Sequence, residues 1–133
     1  MKIVVPEKLR EPLGGLIVVS LGIDGCVWVQ SKKNWEKLKD VMLNRHFDKE
    51  SSGVKLLIKA YIASARNTIM NQSGEIKILK EFADYARLKN KVVFTVAGGK
   101  IEVWAEEVFR KWDKRVKRFE LSRRGFAGRG RII

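Results

Sequence analysis

The feature that most constrains the fold of this chain is an internal repeat. In the first half, the β-rich runs LIVVSL (16–21) and CVWV (26–29) flank Gly-Ile-Asp-Gly, whose Asp-Gly step supplies the positive φ of a tight hairpin. In the second half, VVFTV (92–96) and IEVW (101–104) flank Ala-Gly-Gly-Lys in the same way. A segment with apolar residues at helical spacing follows each hairpin and predicts a helix. Ser31 can act as the N-cap of the first of these helices. The repeat therefore predicts two hairpins, each leading into a helix.

The correspondence extends upstream of each hairpin. Residues 3–9 (IVVPEKL) match residues 76–82 (IKILKEF), and both predict a short strand that leads into a helical turn. One further strand, 66–70 (RNTIM), precedes the second unit and ends in the turn 71–74 (NQSG). We therefore predict an α+β fold, in which two tandem strand, short helix, hairpin and helix units share a mixed β-core.

This order also predicts domain boundaries. Residues 1–50 form the first repeat, and residues 51–62 form a connecting helix with apolar residues at helical spacing. Residues 63–120 form the second repeat and end in a basic helix. The Gly- and Arg-rich residues 121–133 are predicted to be a tail without regular structure, because this composition buries too little apolar surface to offset the entropy of ordering.

The distribution of charge indicates a polyanionic partner. The formal net charge is +13, and residues 110–133 alone hold ten basic and two acidic side chains. Such an excess favours nucleic acid first and an anionic membrane surface second. The basic face of the last helix is open to two interpretations: it binds phosphate, or it is the solvated outer face of a helix whose apolar stripe packs on the body.

The chemistry-bearing residues argue against an enzyme. Cys26 and His46 are the only residues of their types, so neither a cysteine framework nor a His/Cys metal site can be assembled. No set of general acid, base and nucleophile can be assembled either, and we predict no cofactor. The four tryptophans are expected to pack in the core or between protomers rather than to stack on bases. No apolar run is long enough to span a bilayer, so the sequence predicts a cytoplasmic protein without a membrane partner. A nucleic-acid partner would make it nucleoid-associated.

Four stretches of the sequence resemble the MraZ family, whose units have the AbrB-like swapped-hairpin fold. They are IVVPEKLREPLG, GIDGCVWVQSKKNWEKL, ASARNTIMNQSGEIKI and KVVFTVAGGKIEVWAEEVF, and together they cover nearly the whole chain apart from the Arg-rich tail. The resemblance implies a DNA-binding transcriptional regulator that acts at promoters of cell-division and cell-wall genes and assembles as a ring of protomers.

The resemblance also implies where DNA would be contacted. Each half of such a protein carries an Asp-x-x-Gly-Arg turn that approaches DNA. In this chain the second turn is Asn71-Gln72-Ser73-Gly74-Glu75, and the first is reduced to Met1-Lys2, with Lys2 in the Arg position. A carboxylate at position 75 would repel phosphate. The candidate DNA-binding residues in these turns and in the tail are Lys2, Asn71, Ser73, Gly74, Lys77, Arg123, Arg124, Arg129 and Arg131.

Two explanations for the short first turn remain open at the level of sequence. A start codon assigned too late, or a fragmentary gene sequence, would remove a strand and a turn, and this explanation is favoured because the loss cuts through a structural unit. Real degeneration of the site would explain the altered second turn. The predicted partners are double-stranded DNA and further copies of the chain. The alternatives are an oligomeric scaffold for a protein partner and a protein that coats nucleic acid without sequence preference.

Overall fold

The computed structural model describes residues 1–45, 47–122 and 131–132. The strands are β1 Lys2–Val4, β2 Leu16–Leu21, β3 Val27–Ser31, β4 Arg66–Ile69, β5 Glu75–Lys77, β6 Val92–Ala97, β7 Lys100–Ala105 and β8 Arg131–Ile132. The helices are α1 Arg10–Leu13, α2 Lys32–Asp40, α3 Ser52–Ser64, α4 Lys80–Ala86 and α5 Glu106–Ser122. The predicted α+β class is confirmed.

Local sequence explains the ends of several elements. Ser31 ends β3 and caps α2, because its hydroxyl accepts a hydrogen bond of 3.0 Å from the backbone N–H of Asn34. Ser51 caps α3 in the same way through Val54, at 3.3 Å. The β6–β7 hairpin turns through Gly98 and Gly99, whose φ angles of 58° and 78° suit a two-residue hairpin turn with two positive φ values.

The strands form one large sheet and one small ribbon. The six-stranded sheet has the order β4-β2-β3-β7-β6-β8, and β1 pairs with β5 in a separate two-stranded ribbon. Every pairing among the described residues is antiparallel, so the predicted mixed β-core is wrong. The two hairpins meet through β3 and β7, and these two strands run in opposite directions. Parallel pairing needs a long crossover connection, and none of the connections among the described residues brings two strands side by side in parallel.

Residues matched in the sequence repeat meet across two of these pairings. In the β3–β7 pairing, Trp28 lies opposite its match Glu102. In the ribbon, Ile3 lies opposite its match Ile76. The backbone groups at both ends of the ribbon are also hydrogen-bonded across it: Val5 N–H donates to Gly74 O at 2.9 Å, and Ile78 N–H donates to Met1 O at 2.8 Å. The two halves therefore meet through equivalent backbone positions in the ribbon and in the central strands.

Apolar side chains pack on both faces of the six-stranded sheet. The larger cluster joins the sheet to the ribbon and to α4, and includes Ile3, Ile17, Ile76, Phe82 and Val103. The smaller cluster lies under α5 and includes Cys26, Trp28, Trp104 and Phe109. Trp28, Trp35 and Trp104 are buried, which confirms that these tryptophans pack in the core.

The Gly22–Gly25 loop of the first hairpin is tied to two helices. Asp24 adopts a φ of 65°, and its carboxylate accepts a hydrogen bond from Trp112 Nε1 at 3.3 Å. Tyr85 of α4 donates its hydroxyl to Gly22 O at 2.6 Å. Burial raises the pKa of Tyr85 above its ordinary value of 10.0, so the hydroxyl keeps this donated proton at neutral pH. The loop is thereby held against α4 and α5.

Part of the C-terminal segment forms a strand, which differs from the predicted tail without regular structure. Helix α5 continues through Ser122, and in β8 Arg131 pairs with Thr95 and Ile132 with Phe94. An edge strand such as β6 presents unpaired backbone groups that a neighbouring segment can satisfy. The rest of this segment, and His46, lie outside the described residues.

Candidate nucleic-acid interface

The β1–β5 ribbon has one buried and one outward face. Ile3 and Ile76 point into the core and are almost fully buried. Lys2 and Val4 on β1, and Lys77 on β5, alternate with them and are exposed. The register sets Lys2 directly opposite Lys77 and Val4 directly opposite Glu75. Two candidate residues that lie 75 positions apart in the sequence are therefore neighbours on one surface.

The Lys2–Lys77 pair is electrostatically unfavourable by itself. Like charges directly opposite each other on paired strands destabilise the pairing, by up to about 1 kcal/mol. Within the described part of the chain, neither ammonium group lies within 4.0 Å of a carboxylate. An anion that bridges the two lysines would remove the repulsion and gain two favourable contacts, which a phosphate group can do.

The Asn71–Gly74 turn is closed by a set of hydrogen bonds between Asn71 and the residues that follow. Gly74 N–H donates to Asn71 O at 3.0 Å, and Asn71 N–H donates to Glu75 O at 3.1 Å. The Asn71 side chain accepts from Glu75 N–H and donates to the Glu75 carboxylate, each at 2.9 Å. Gly74 has a φ of 79°, which a glycine adopts without strain. These bonds close the turn, and Ser73 lies exposed beside the ribbon.

These bonds give Asn71 and Glu75 roles that the sequence did not predict. The Asn71 amide, a candidate DNA contact, is occupied within the turn. The Glu75 carboxylate, expected to repel phosphate, accepts one of the bonds that hold the turn together. A change at position 75 therefore alters both the charge of the surface and the closure of the turn.

Arg10 is a residue of this surface that the sequence prediction missed. Its Nε donates to Val5 O at 2.8 Å, and its guanidinium lies against the Cα of Gly74, where a Cβ would collide with it. The contact joins α1 of the first half to the turn of the second half. Arg10 and Gly74 are 64 positions apart in the sequence, and only the cross-repeat ribbon brings them together. The repeat match of Ile3 with Ile76 was the one signal that could have indicated this.

Lys77 also borders a small groove on the side of β4. The groove has a volume of about 210 Å³, and its polar lining residues beside Lys77 are Arg66, Asn67 and Thr68. Arg66 is exposed, and its guanidinium donates to Ala63 O and Ala65 O at the end of α3. The positive charge of Arg66 therefore borders the same groove as Lys77.

The remaining candidate residues are not brought to this surface by the described structure. Arg123, Arg124 and Arg129 lie outside the described residues. Arg131 belongs to β8, where its backbone pairs with Thr95 on the far edge of the large sheet from β4. The role predicted for these arginines stays a prediction.

No group of three or more His, Cys, Asp or Glu side chains among the described residues is arranged to hold a metal ion. None of the helices in the described ranges is both long and apolar enough to cross a membrane. Cys26 is fully buried, and its thiol donates to Ile23 O at 3.1 Å.

Gly74→Ala should destabilise the chain by about 1 to 2 kcal/mol, because a residue with a Cβ is strained at this φ and the new methyl group displaces the Arg10 guanidinium. Thermal unfolding followed by circular dichroism measures the effect. Gly15→Ala is the matched control, since Gly15 has no positive φ and nothing lies within 4 Å of its added Cβ. Equal melting temperatures for the two variants would show that the turn does not depend on this glycine.

Proteins similar to this chain carry the name of one family of regulators. A protein of Lachnoclostridium phytofermentans named transcriptional regulator MraZ is 31% identical over 106 residues, which cover 80% of this chain and 73% of the relative. Proteins of the same name from Natranaerobius thermophilus and Caldanaerobacter subterraneus are 26% and 24% identical, over 91% and 85% of this chain and 81% and 78% of their own. No protein-family model matches the sequence.

Proposed function

This chain belongs to the MraZ family of transcriptional regulators, and from that membership we propose that it binds duplex DNA through the outward face of the β1–β5 ribbon and the Asn71–Gly74 turn. The observation that carries the proposal is the Lys2–Lys77 pair. Two like charges lie directly opposite each other, without a carboxylate partner in the described chain, beside a turn closed by hydrogen bonds. Phosphate contacts from the lysines would position the duplex, and the turn would approach the bases.

We propose that the architecture is a tandem of two AbrB-like swapped-hairpin repeats, as the family resemblance implies. The cross-repeat pairing of Ile3 with Ile76 and of Trp28 with Glu102 supports this proposal. On it, residues 1–50 and 63–120 are the two repeats, and residues 51–62 connect them. The target sites would be promoters of cell-division and cell-wall genes, and the protein would act in the cytoplasm on the nucleoid.

Self-association is a further part of this proposal, and α3 supports it. This helix of 13 residues has no buried residue within the single chain, although it carries Val54, Leu56 and Leu57. Leu56 is 69% exposed and Leu57 is 51% exposed. At the edge of the large sheet, the cross-strand pair Leu16 and Ile69 is also exposed. Apolar surface of this kind is commonly covered by a second copy, and a closed ring would cover it on every protomer.

The double variant Leu56→Glu and Leu57→Glu should therefore dissociate the assembly, because two carboxylates would have to be desolvated at the interface. Light scattering coupled to size-exclusion chromatography should give an oligomer for the unchanged chain and a monomer for the variant. Ile23→Glu changes a hydrophobic residue that is 50% exposed in the first hairpin loop, and should leave the assembly intact. A monomeric unchanged chain at micromolar concentration would contradict the proposed ring.

DNA binding itself is tested by fluorescence anisotropy with labelled duplexes at several salt concentrations. We expect affinity to fall linearly with salt on logarithmic axes, and a duplex selected from a random library to bind more tightly than an unselected one. The rival function, a scaffold for a protein partner, is favoured by the exposed apolar face of α3. It becomes the better interpretation if no duplex binds at low salt.

A further inference from the structure

Arg87 has a backbone conformation that is unusual for a residue with a side chain. It ends α4 with a φ of 56° and a ψ of 36° in the left-handed region. Its N–H donates to Asp84 O at 3.2 Å, and Leu88 N–H donates to Ala83 O at 2.9 Å, a helix end at which glycine is normally found. The matching residue of the first half is Gly14, which shares the positive φ, 66°, but has a ψ of −161°, outside the left-handed helical region. The fold alone therefore favours glycine at position 87, and the arginine needs another explanation.

The Arg87 side chain borders two open grooves along α5. The larger has a volume of about 690 Å³, and its other basic lining residues are Lys89, Lys91 and Arg110. The smaller has a volume of about 220 Å³, and its other basic lining residues are Lys111 and Arg115. Arg87 is the basic residue that the two grooves share, so it lies where a ligand extending along both would pass.

The balance of charge in these grooves is positive. Arg87, Lys89 and Lys91 are exposed and lie within 4.0 Å of no carboxylate in the described part of the chain. Of the acidic residues there, Glu106 pairs with Arg110 at 2.6 Å, and Asp24 accepts the Trp112 hydrogen bond. Glu107 completes the acidic lining. The two grooves together are thus lined by six basic and three acidic side chains, and two of the acidic side chains already have an ion-pair or hydrogen-bond partner.

The arrangement of these charges fits a polymer rather than a single small anion. A site for one phosphate needs donors that converge on one point. Here the basic residues of α5 extend from Arg110 to Arg115, about 7.5 Å along the helix axis at 1.5 Å per residue. The exposed Lys89 and Lys91, in the loop between α4 and β6, add a second row of positive charge beside the helix. Duplex DNA carries about one negative charge per 1.7 Å of its axis and would meet several of these side chains together.

We propose that the two grooves beside Arg87 form a second, sequence-independent contact surface for the phosphate backbone of duplex DNA. The proposal rests on the DNA-binding function proposed above, and places this contact on α4 and α5 rather than on the ribbon. Arg87 is its central residue, because its guanidinium offers several N–H donors to phosphate at the point where the grooves meet.

The test is Arg87→Gly in the full chain. Glycine relieves the backbone strain, so the melting temperature should stay the same or rise by a few degrees. The affinity for a selected duplex and for a random duplex should fall by a similar factor, about tenfold at low salt, because one charged contact is lost. The slope of affinity against salt should decrease by about 0.9. A variant that is at least as stable and binds less tightly excludes loss of folding as the cause.

Lys37→Gln removes one exposed positive charge from α2 and is the matched control, for which we expect no change. If the unchanged chain binds DNA and Arg87→Gly keeps its affinity and salt slope, this inference is wrong and the function proposed for the ribbon stands. A loss confined to the selected duplex would also overturn it, since a backbone contact acts on every sequence. If the unchanged chain binds no duplex, both proposals fail.

Discussion

A variant with both Lys2→Gln and Lys77→Gln should bind every duplex at least about tenfold more weakly than the unchanged chain. Each lysine that neutralises a phosphate contributes about 0.9 to the slope of affinity against salt, so the slope should decrease by about 1.8 for each bound protomer. The same variant should be no less stable to unfolding, because it removes a repulsion between residues directly opposite each other. Anisotropy titrations and thermal unfolding measure the two effects.

The matched control is Lys33→Gln with Lys37→Gln, which removes the same charge from exposed positions on α2. We expect this pair to leave binding nearly unchanged. An equal loss in both double variants would show that net charge, and not the ribbon, governs the affinity. The proposed interface would then be wrong.

Glu75→Arg should raise the affinity for the selected duplex by about ten- to a hundredfold more than for a random one. A guanidinium mounted on the turn can reach base edges, and a good bidentate contact discriminates by about 1 to 3 kcal/mol. The change removes the hydrogen bond from Asn71 Nδ2 to the carboxylate. The backbone bond from Asn71 to Glu75 O and the bond from Glu75 N–H to the Asn71 side chain can remain, so the turn should persist.

Glu75→Gln separates the effect of removing the negative charge from the effect of a guanidinium that contacts base edges. Its amide oxygen still accepts from Asn71, while the negative charge is removed, so its affinity should rise by the same factor on all sequences. The two variants are compared by anisotropy on one selected and one random duplex. If Glu75→Arg leaves binding to every duplex unaltered, the turn does not contact DNA, and the interpretation as an interaction scaffold is the better one.

The local elements of this fold could be predicted because their signals are short in range. The hairpin turn at Gly98 and Gly99 follows from residues that accept positive φ, and both glycines adopt it. The cap at Ser31 follows from a hydroxyl placed just before an apolar-periodic segment, and its hydrogen bond is present. The burial of Trp28 and Trp104 follows from their places on the second, β-rich strand of each hairpin.

The assembly of the two halves could not be predicted in the same way. The proximity of Lys2 to Lys77, and of Arg10 to Gly74, depends on a ribbon that pairs the two repeats across more than 60 residues. No local pattern encodes such a pairing. The prediction of a mixed sheet failed for the same reason, because the direction of β3 against β7 is set by how the hairpins meet. The left-handed Arg87 was missed because an arginine gives no sequence signal for positive φ.

Photo-cross-linking from position 73 tests most directly whether the turn and ribbon face DNA. Cys26 is fully buried, so a cysteine placed at exposed Ser73 can be labelled selectively with a photoactivatable group. Glu50→Cys, at an exposed position before α3, is labelled in the same way as the control. On irradiation with duplex DNA, we expect a covalent adduct from position 73 and little from position 50. Adducts from position 50 with none from position 73 would contradict the proposed interface.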